Sequence, residues 1–593
     1  MYRCVRHVLW GFILVIVLTT FSYMVNAQAV LEPIIVTAKA PQPFSQLNRE
    51  VYVIEKEEIE DLPIESLTDL LEYVGSVDVR QRGSYGIQAD FSIRGSSFEQ
   101  VLILINGLRV NDPQTGHHNS DIPLTLDDIE RIEVMPGPGS AIYGHGAFGG
   151  VINIITKKAK REIKACFVKG GHDLNQEGIS LNEEIKGVSL GLTWQRRISD
   201  GYKENTDFDD KKISFHLERD KFKFLFGFND KRFGANGFYT DAHPNQWERT
   251  QTTFFSAKDE FDLKGITIKP ALFFRRHDDH FTLDRNAPLT YMNTHKTYVY
   301  GGELPLIFSF SFMDVVTGVE LNREEIKSSR LGNHFRFYEG IFLSFYPRFD
   351  RLTMGLDLRG NGYSDKWGWE FSPAFNIAYQ LKEWLKLRGG FGRSFRIPNY
   401  TELYYWSPAN RGNPDLFPEY AWSIEGGLDI SKTNWQVGLT VFSRWGKDII
   451  DWVKRQDFWE AQNISRINTL GTTLFFKKKF KKQLVCLDYT YINQTNKPLA
   501  MYLNYLRHKI DLRNVFNLRY NTTLSLCLSY QKRINQDVYT LFNIRFKKAT
   551  GWKGHKFNIF IEVENLLNTS YYDNIGVPMP GRWILGGLEV ELF

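Results

Sequence analysis

Two patterns of apolar and polar residues divide the chain. From about residue 160 to the C-terminal Phe593, apolar and polar positions alternate, as in Val188, Leu190, Leu192 and Trp194. Successive side chains of a strand point to opposite faces, so this alternation predicts β-strands with one apolar and one polar face. Polar, turn-rich segments separate the alternating stretches. The pattern therefore predicts a series of amphipathic strands joined by turns and loops.

The length of the alternating region sets the number of these strands. Roughly 435 residues at about 20 residues per strand and connection give about 22 strands, although about 16 strands with longer loops would also fit. An antiparallel barrel of about 22 strands encloses a lumen that holds a plug rather than a packed core. We therefore predict a closed β-barrel over residues 159–593.

Residues 51–158 show a mixed pattern that predicts a small α+β domain. Ser66, with Asp69 three residues later, matches a capping pattern, and the apolar residues that follow have helical spacing. Glycine-rich stretches predict turns with positive φ. Four apolar runs predict strands, at 51–54, 101–105, 129–134 and 151–155.

The first 27 residues predict a cleaved secretory signal. Arg3 and Arg6 precede an uncharged stretch over residues 8–25, and we expect cleavage after Ala27. An uncleaved anchor helix is the alternative, because the uncharged stretch is just long enough to span a membrane. Residues 28–50 contain three prolines and predict an extended arm.

Composition narrows the classes of function. Aromatic residues make up 15% of a chain whose mean hydropathy is only −0.33, as expected for a membrane barrel with aromatic girdles and a polar lumen. A soluble β-protein with a carbohydrate-binding surface is the alternative. The net charge of +5 is small and well mixed, so no nucleic-acid partner is expected. The sequence contains no H-E-x-x-H or phosphate-loop motif, and its G-x-S-x-G match at 187–191 lies inside an alternating β-pattern rather than at a strand-to-helix turn, so we expect no enzymatic activity.

Several segments, in this order, resemble the TonB-dependent outer-membrane receptors. They are IRG at 93–95, VLILINGLRV at 101–110, IERIEV at 129–134, GGVINIIT at 149–156, SFRIP at 394–398 and VENLLN at 563–568. The resemblance implies that residues 51–158 form a plug inside a transmembrane barrel, embedded in outer-membrane lipid. It also implies energised uptake of a scarce, large nutrient without a resident cofactor.

The same resemblance gives the arm a function. Its β-prone run resembles the TonB box, the segment that pairs as a strand with the periplasmic, energy-coupling protein TonB. On composition alone, an ordinary first strand of the next domain explains the run better. The residues of this predicted TonB box are Glu32, Pro33, Ile34, Ile35, Val36, Thr37 and Ala38.

The expected nutrient is cobalamin. Segments 233–239 and 275–297 resemble parts of cobalamin receptors of the Bacteroidetes type. A ferric siderophore or haem receptor is the alternative, and a surface lipoprotein lid is a further partner that the sequence leaves open. A passive porin would not explain the plug, and a surface adhesin would leave the arm without a function.

Two plug loops, 80–89 and 111–121, are expected to face the outside and to bind the nutrient. Both are rich in hydrogen-bonding groups that suit the amides of cobalamin, although solvated loops with no ligand are the alternative. The candidate contacts are Ser84, Tyr85, Gln88, Asn111, Gln114, Asn119 and Ser120.

Two histidine-containing segments, 117–118 and 277–280, are candidate metal sites. His117 and His118 are adjacent, so loop histidines are favoured over metal ligands. In a strand, His277 and Asp279 would point to one face, and Asp278 and His280 would point to the other. The four potential ligands would therefore not meet at one ion. The cysteines left after signal removal are odd in number and have no zinc-binding spacing.

The loop that follows residue 199 is the better candidate for a cation, because it offers several oxygen ligands and a glycine. Its spacing does not match an EF-hand. The candidate calcium ligands are Asp200, Asp207, Asp209 and Asp210.

Overall fold

The structure, a computed structural model, describes residues 35–36, 42–43, 48–158, 160–240, 242–495 and 504–592. The predicted signal peptide, residues 1–27, lies outside these residues. Of the predicted TonB box, only Ile35 and Val36 are described. They form strand β1 (Ile35–Val36), which pairs antiparallel with β2 (Gln42–Pro43).

The plug is built around a five-stranded mixed sheet. Its strand order is β3-β8-β9-β6-β7, in which β6 and β9 are parallel, and β4 and β5 form a separate hairpin. The strands are β3 (Tyr52–Glu55), β4 (Val77–Gln81), β5 (Ala89–Ile93), β6 (Val101–Ile105), β7 (Leu108–Arg109), β8 (Ile129–Pro136) and β9 (Gly150–Thr156). All four strand predictions for this domain are thereby confirmed.

Short helices connect these strands. They are α1 (Lys56–Asp61), α2 (Leu67–Glu72), α3 (Ser140–Tyr143) and the 3₁₀ turns Ser84–Gly86, Phe98–Gln100, Gly116–Ser120 and Leu126–Asp128. Ser66 caps α2, since its Oγ accepts a hydrogen bond of 3.2 Å from the backbone N–H of Asp69, which confirms the predicted cap. The plug core between sheet and helices includes Leu71, Ile103 and Ile154, which are fully buried.

The barrel is a closed antiparallel sheet of 22 strands, as predicted. They are β10 (Glu162–Gly170), β11 (Leu174–Ile185), β12 (Val188–Ser199), β13 (Phe208–Arg219), β14 (Phe222–Gly234), β15 (Trp247–Lys258), β18 (Ala271–Thr282), β19 (Met292–Ser309), β20 (Met313–Ser328), β21 (Gly332–Pro347), β22 (Leu352–Tyr363), β23 (Trp369–Lys382), β24 (Leu385–Arg396), β26 (Glu419–Lys432), β27 (Trp435–Lys454), β28 (Trp459–Phe480), β29 (Gln483–Thr495), β30 (Leu506–Asn517), β31 (Thr522–Arg533), β32 (Tyr539–Trp552), β33 (His555–Glu564) and β34 (Trp583–Leu592). Pairing of β10 with β34 closes the barrel.

Smaller elements extend the barrel at its two ends. The hairpin β16 (Phe261–Leu263) and β17 (Ile266–Ile268) lies at one end, and β25 (Asn410–Arg411) and α4 (Tyr400–Tyr404) lie at the other. The long connections 397–418 and 565–582 share the end with α4, whereas tight turns join strands at the opposite end. Outer-membrane barrels have short periplasmic turns and long extracellular loops, which orients the molecule.

The two faces of the barrel strands are as the alternation predicts. In β12, Ser189 and Thr193 are buried against the lumen, whereas Leu192 is exposed on the outer face. The outer face thus presents apolar side chains to lipid, and the lumenal face presents polar side chains to the plug. Among the described residues, no helix combines the length and the apolarity that a membrane crossing requires.

Candidate functional site

The contact between plug and barrel wall is rich in charged groups. Many plug side chains form ion pairs with wall side chains, and most of these are buried: Arg49–Asp357, Asp78–Arg533, Arg94–Glu425, Asp112–Arg275, Asp121–Lys231 and Asp127–Lys164. An apolar patch, to which the barrel contributes Phe254 and Phe273, completes the contact. Charged groups regain hydrogen bonds from water when they separate, so this surface can open without exposing a large apolar area.

Arg94 is the centre of a network of buried ion pairs. Its Nη2 lies 2.8 Å from Glu50 Oε2 and its Nη1 lies 2.7 Å from Glu425 Oε2 on the wall. Burial opposes charge on Glu50, but Arg94 and Arg388 outweigh it and hold the pKa of Glu50 below its usual value. Glu50 also accepts a hydrogen bond of 3.0 Å from the hydroxyl of Thr473. The last residue of the arm is therefore tied to the barrel wall.

The IRG motif at 93–95 positions Arg94 in this network of ion pairs. Arg94 and Gly95 both have positive φ, of 51° and 69°. This left-handed turn reverses the chain after β5 and aims the guanidinium at the wall. Sequence analysis identified the motif but not the role of Arg94, because Glu425 is 331 residues away along the chain.

The first predicted ligand loop, 80–89, is completely buried. Tyr85 packs edge-on against Trp583 with ring centroids 5.2 Å apart, and Gln88 donates a hydrogen bond of 2.6 Å to the hydroxyl of Tyr239. Ser84 is also buried. The barrel wall and the extracellular connection 565–582, where Asp573 accepts from the N–H of Gln81, cover the loop, so it lies toward the outside but presents no free surface.

The second predicted loop, 111–121, is buried apart from Asn111 and His117, which are partly exposed. Asn111 bonds to the backbone of the plug itself, at Val101 and Ile103. The other three candidates also have partners: Gln114 donates to Asp279, Asn119 accepts from the N–H of Asp112, and Ser120 accepts from the N–H of Ala89. This loop, too, does not present a free surface to the outside. The role of all seven residues in ligand binding stays a prediction.

Exposed apolar side chains in the long connections were missed by sequence analysis. Trp406 and Phe417 are 59% and 62% exposed in connection 397–418, and Leu289 is 92% exposed. Tyr572 and Ile575 are exposed in connection 565–582. Their position in turn-rich segments, which contribute neither to the core nor to the lipid-facing surface, is the sequence signal that could have identified them. They give the extracellular mouth an apolar surface that a large nutrient can contact.

The four predicted calcium ligands do not converge in the structure. Asp207 is paired with Arg285 at 2.5 Å, and Asp200 lies exposed in the loop. Asp209 and Asp210 are adjacent in β13 and point to opposite faces, where they pair with Arg196 and Arg197. The calcium site stays a prediction, since separate cations hold three of its four carboxylates.

The two histidine segments meet in space. His277 and Asp279 share the buried lumenal face of β18, as predicted, while Asp278 pairs with Arg276 on the other face. The His118 ring stacks on that of His277 with centroids 4.4 Å apart. Burial disfavours charge on His118, but the hydrogen bond and charge of Asp279 outweigh it and raise the pKa of His118 to about 9. Sequence analysis missed this contact between plug and wall.

A cavity of about 1020 Å³ lies outside this region. Its lining includes Leu272, Tyr300 and Leu321, which point outward from the barrel strands, together with Trp369. These exposed side chains make it a groove on the face that meets lipid, and its lining also includes Phe273 of the apolar patch between plug and wall.

A plug domain held inside a closed barrel by ion pairs is the architecture of a gated outer-membrane receptor. The comparisons with known proteins identify its family. Residues 44–151 match the family described as TonB-dependent Receptor Plug Domain, and residues 180–566 match the TonB dependent receptor-like beta-barrel. The chain belongs to the TonB-dependent receptor family, and the protein lies in the outer membrane. This family consists of receptors and transporters rather than enzymes.

Two curated relatives are vitamin B12 transporters. BtuB of Vibrio vulnificus strain CMCP6 is 25% identical over 507 residues, which cover 80% of each chain. BtuB of Vibrio cholerae serotype O1 is 30% identical over 432 residues, which cover 69% of each chain. The resemblance to the Bacteroidetes branch stays a prediction, since both relatives come from Vibrio.

Solved structures of siderophore receptors share the fold. The receptor PirA from Acinetobacter baumannii superposes with a TM-score of 0.75 at 17% identity, covering 91% of this chain and 98% of that one. An enterobactin-bound variant of the ferric enterobactin receptor PfeA from Pseudomonas aeruginosa gives a TM-score of 0.75 at 18% identity, covering 92% and 100%. At these identities the likeness shows the fold alone.

Proposed function

We propose that this protein imports cobalamin across the outer membrane with energy supplied through TonB. The observation that carries the energised part is the plug, which closes the lumen and is tied to the wall by buried ion pairs. Breaking a buried pair costs several kcal/mol, so a passive ligand gradient would open such a pore slowly. Similarity to vitamin B12 transporters along most of the chain supports cobalamin as the cargo.

The charges in the upper lumen also favour a ligand with little net charge. Arg109 of the plug, which lies near His145, donates to backbone carbonyls. Three barrel arginines near His145 already have carboxylate partners on the barrel: Arg336–Glu324, Arg359–Glu320 and Arg396–Glu402. An anionic iron complex would have to displace these carboxylates, whereas uncharged amides would not. The pairing therefore supports an amide-rich nutrient over an anionic siderophore.

The arm has a direct mechanical path to the plug. TonB pairs as a strand with the TonB box, which has backbone groups to share. A pull on that segment reaches Arg49, which pairs with Asp357 of the wall, and then Glu50, through which it reaches Arg94. Loss of these contacts would free the turn after β5 and let the plug remodel while the ligand passes. No covalent chemistry is required.

Binding and uptake together test this proposal. Purified protein in detergent is titrated with cobalamin, with a ferric catecholate siderophore and with haem, and the three affinities are compared. We expect saturable binding of cobalamin and at least tenfold weaker binding of the other two, a difference of about 1.4 kcal/mol. Uptake of labelled cobalamin in cells without another cobalamin receptor should depend on TonB.

Two outcomes distinguish an error in the proposed cargo from an error in the proposed mechanism. TonB-dependent uptake of an iron complex, without cobalamin binding, would overturn the choice of cargo and keep the energised mechanism. Equal cobalamin uptake with and without TonB would overturn the mechanism. A cell that carries the empty vector sets the background for both measurements.

A further inference from the structure

We propose that His118, Asp121 and His277 form a binding site for a divalent transition-metal ion such as Zn²⁺, which joins the plug to the barrel wall. His118 and Asp121 belong to plug loop 111–121, and His277 belongs to β18. The site does not depend on the proposed cargo or on the predicted calcium ligands. Imidazole nitrogens and a carboxylate oxygen are donors that zinc prefers.

The three donor atoms have the right spacing. His118, Asp121 and His277 are buried, and one ligand atom from each lies within 4.8 Å of the other two. Asp121 Oδ2 lies 2.9 Å from His277 Nε2 and 3.9 Å from His118 Nδ1. Ligands at about 2.1 Å from a tetrahedral zinc lie about 3.4 Å apart, between these two distances. An ion can therefore enter with small side-chain movements.

The remaining nitrogen of each histidine lies near a second carboxylate. His277 Nδ1 lies 3.3 Å from Asp112 Oδ2, and His118 Nε2 lies 3.4 Å from Asp279 Oδ2. Histidine ligands of metals usually offer their second nitrogen to a carboxylate, which fixes the tautomer and the ring orientation. Asp112 is itself held at 2.5 Å by Arg275. The carboxylates that would orient the two imidazoles are thus already close to them.

The cluster has a surplus of carboxylates. Asp112, Asp121 and Asp279 lie with two cations, Lys231 and Arg275, and with the carboxyl group of Glu248. With neutral imidazoles, the three aspartates and the two cations leave a net charge of −1. His277 Nδ1 and Asp279 Oδ1 are buried without a hydrogen-bond partner. Buried charge without compensation is costly, which favours an ion here.

Lys231 restricts how Asp121 can bind. Its Nζ lies 2.6 Å from Asp121 Oδ1, so only Oδ2 is available to the ion. A second set, His118 with Glu248 and Asp279, also lies within 4.8 Å and shares one histidine with the proposed site. It has one imidazole donor instead of two, which makes it the weaker set for a transition metal.

Metal content of the purified full-length protein, without an affinity tag, tests the site. The protein is incubated with Zn²⁺, dialysed and analysed by mass spectrometry for bound metal. We expect one tightly held zinc per chain in the wild type and in His280→Ala, a histidine of the same strand on the opposite face. We expect loss of the bound zinc in His118→Ala and in His277→Ala. Heat-modifiable electrophoretic mobility confirms that each variant keeps its barrel.

Cobalt substitution keeps the test independent of variant folding. Wild-type protein loaded with Co²⁺ should show the intense visible absorption of tetrahedral coordination, and Zn²⁺ should displace it. Wild-type protein that holds no zinc after dialysis would overturn the proposal. Zinc lost in Glu248→Gln but kept in His277→Ala would also overturn it, in favour of the second set.

Discussion

Glu99 gives the contact between plug and barrel a pH dependence. Its carboxylate accepts a hydrogen bond of 2.8 Å from the N–H of Gly116. Burial, followed by the nearby charge of Glu402 in α4, raises the pKa of Glu99 to about 7 from the ordinary 4.5. The docked plug therefore binds a proton more tightly than the unfolded chain does. This contribution to stability is fully present below about pH 4.5 and is lost as the pH rises through about 7.

We predict that Glu99→Gln removes this pH dependence. In the wild type, the free energy of unfolding should fall by at most about 3 kcal/mol between pH 4.5 and pH 8 because of this group. Chemical denaturation of the detergent-solubilised protein at several pH values measures the slope. The exposed Glu57→Gln is the matched control and should keep the wild-type slope. An identical slope in Glu99→Gln and wild type would show that Glu99 is not the titrating group.

The Asp78–Arg533 pair is the clearest single tie between plug and wall. Arg533 donates from both terminal nitrogens, at 2.8 and 2.6 Å, and both residues are buried. Asp78→Ala leaves the guanidinium with a weaker contact to Asp573 at 3.9 Å. We predict a loss of about 3 kcal/mol in plug stability, because a buried charge loses its partner.

The double variant Asp78→Ala/Arg533→Met serves as the comparison for this prediction. It removes both charges, so it should be more stable than Asp78→Ala alone. Hydrogen exchange of the plug amides measures the stability of the docked domain. Equal protection in wild type and Asp78→Ala would show that the pair contributes little.

At the scale of the element, the arm is the segment whose backbone matters most. We predict that Ile35→Pro abolishes cobalamin uptake and leaves cobalamin binding unchanged. Proline removes the N–H that a partner strand needs and fixes φ. Ile35→Val keeps both the backbone and a β-branched side chain, so it should transport normally. Labelled-ligand uptake and binding in the same cells measure the two activities, and wild-type uptake by Ile35→Pro would refute the role of this strand.

The elements themselves could largely be predicted from the sequence. The alternation in β12 places Leu192 on the outer face and Thr193 on the lumenal face. This assignment needs only the residues of one strand, because successive side chains point to opposite faces. The cap at Ser66 is local as well. Such signals need only a few neighbouring residues.

Contacts between plug and wall could not be predicted in this way. Periodicity places His277 on the lumenal face, but it does not give the height at which loop 111–121 meets β18. The same limit applies to the ligand loops, whose polar residues fit a solvated loop and a buried interface equally well. Tyr85 was expected at the surface, and it packs against Trp583, a residue almost 500 positions later along the chain.

For the whole molecule, the proposed mechanism has the plug move relative to the barrel during transport. Pro123 of the plug and Gly227 of β14 approach closely, since a Cβ added to Gly227 would lie 3.2 Å from the Cβ of Pro123 and 2.5 Å from its carbonyl oxygen. Disulfides join residues whose Cβ atoms lie about 3.5–4.5 Å apart, so cysteines at both positions can bond once the backbone at Pro123 moves away from residue 227. The bond would fix the plug to the wall far from the arm.

We predict that oxidised Pro123→Cys/Gly227→Cys binds cobalamin normally but does not transport it, and that reduction restores transport. Cys166, Cys486 and Cys527 are free, so the pair is made in a background in which serine replaces all three. The two single-cysteine variants are the controls, and the transport of each should be the same under oxidising and reducing conditions, whatever the contact of residue 227 with the Pro123 carbonyl costs. Full transport by the oxidised double variant would show that the plug need not separate from the wall at β14. The ligand would then pass on the side of the lumen where Glu50 and Arg94 connect the arm to the barrel.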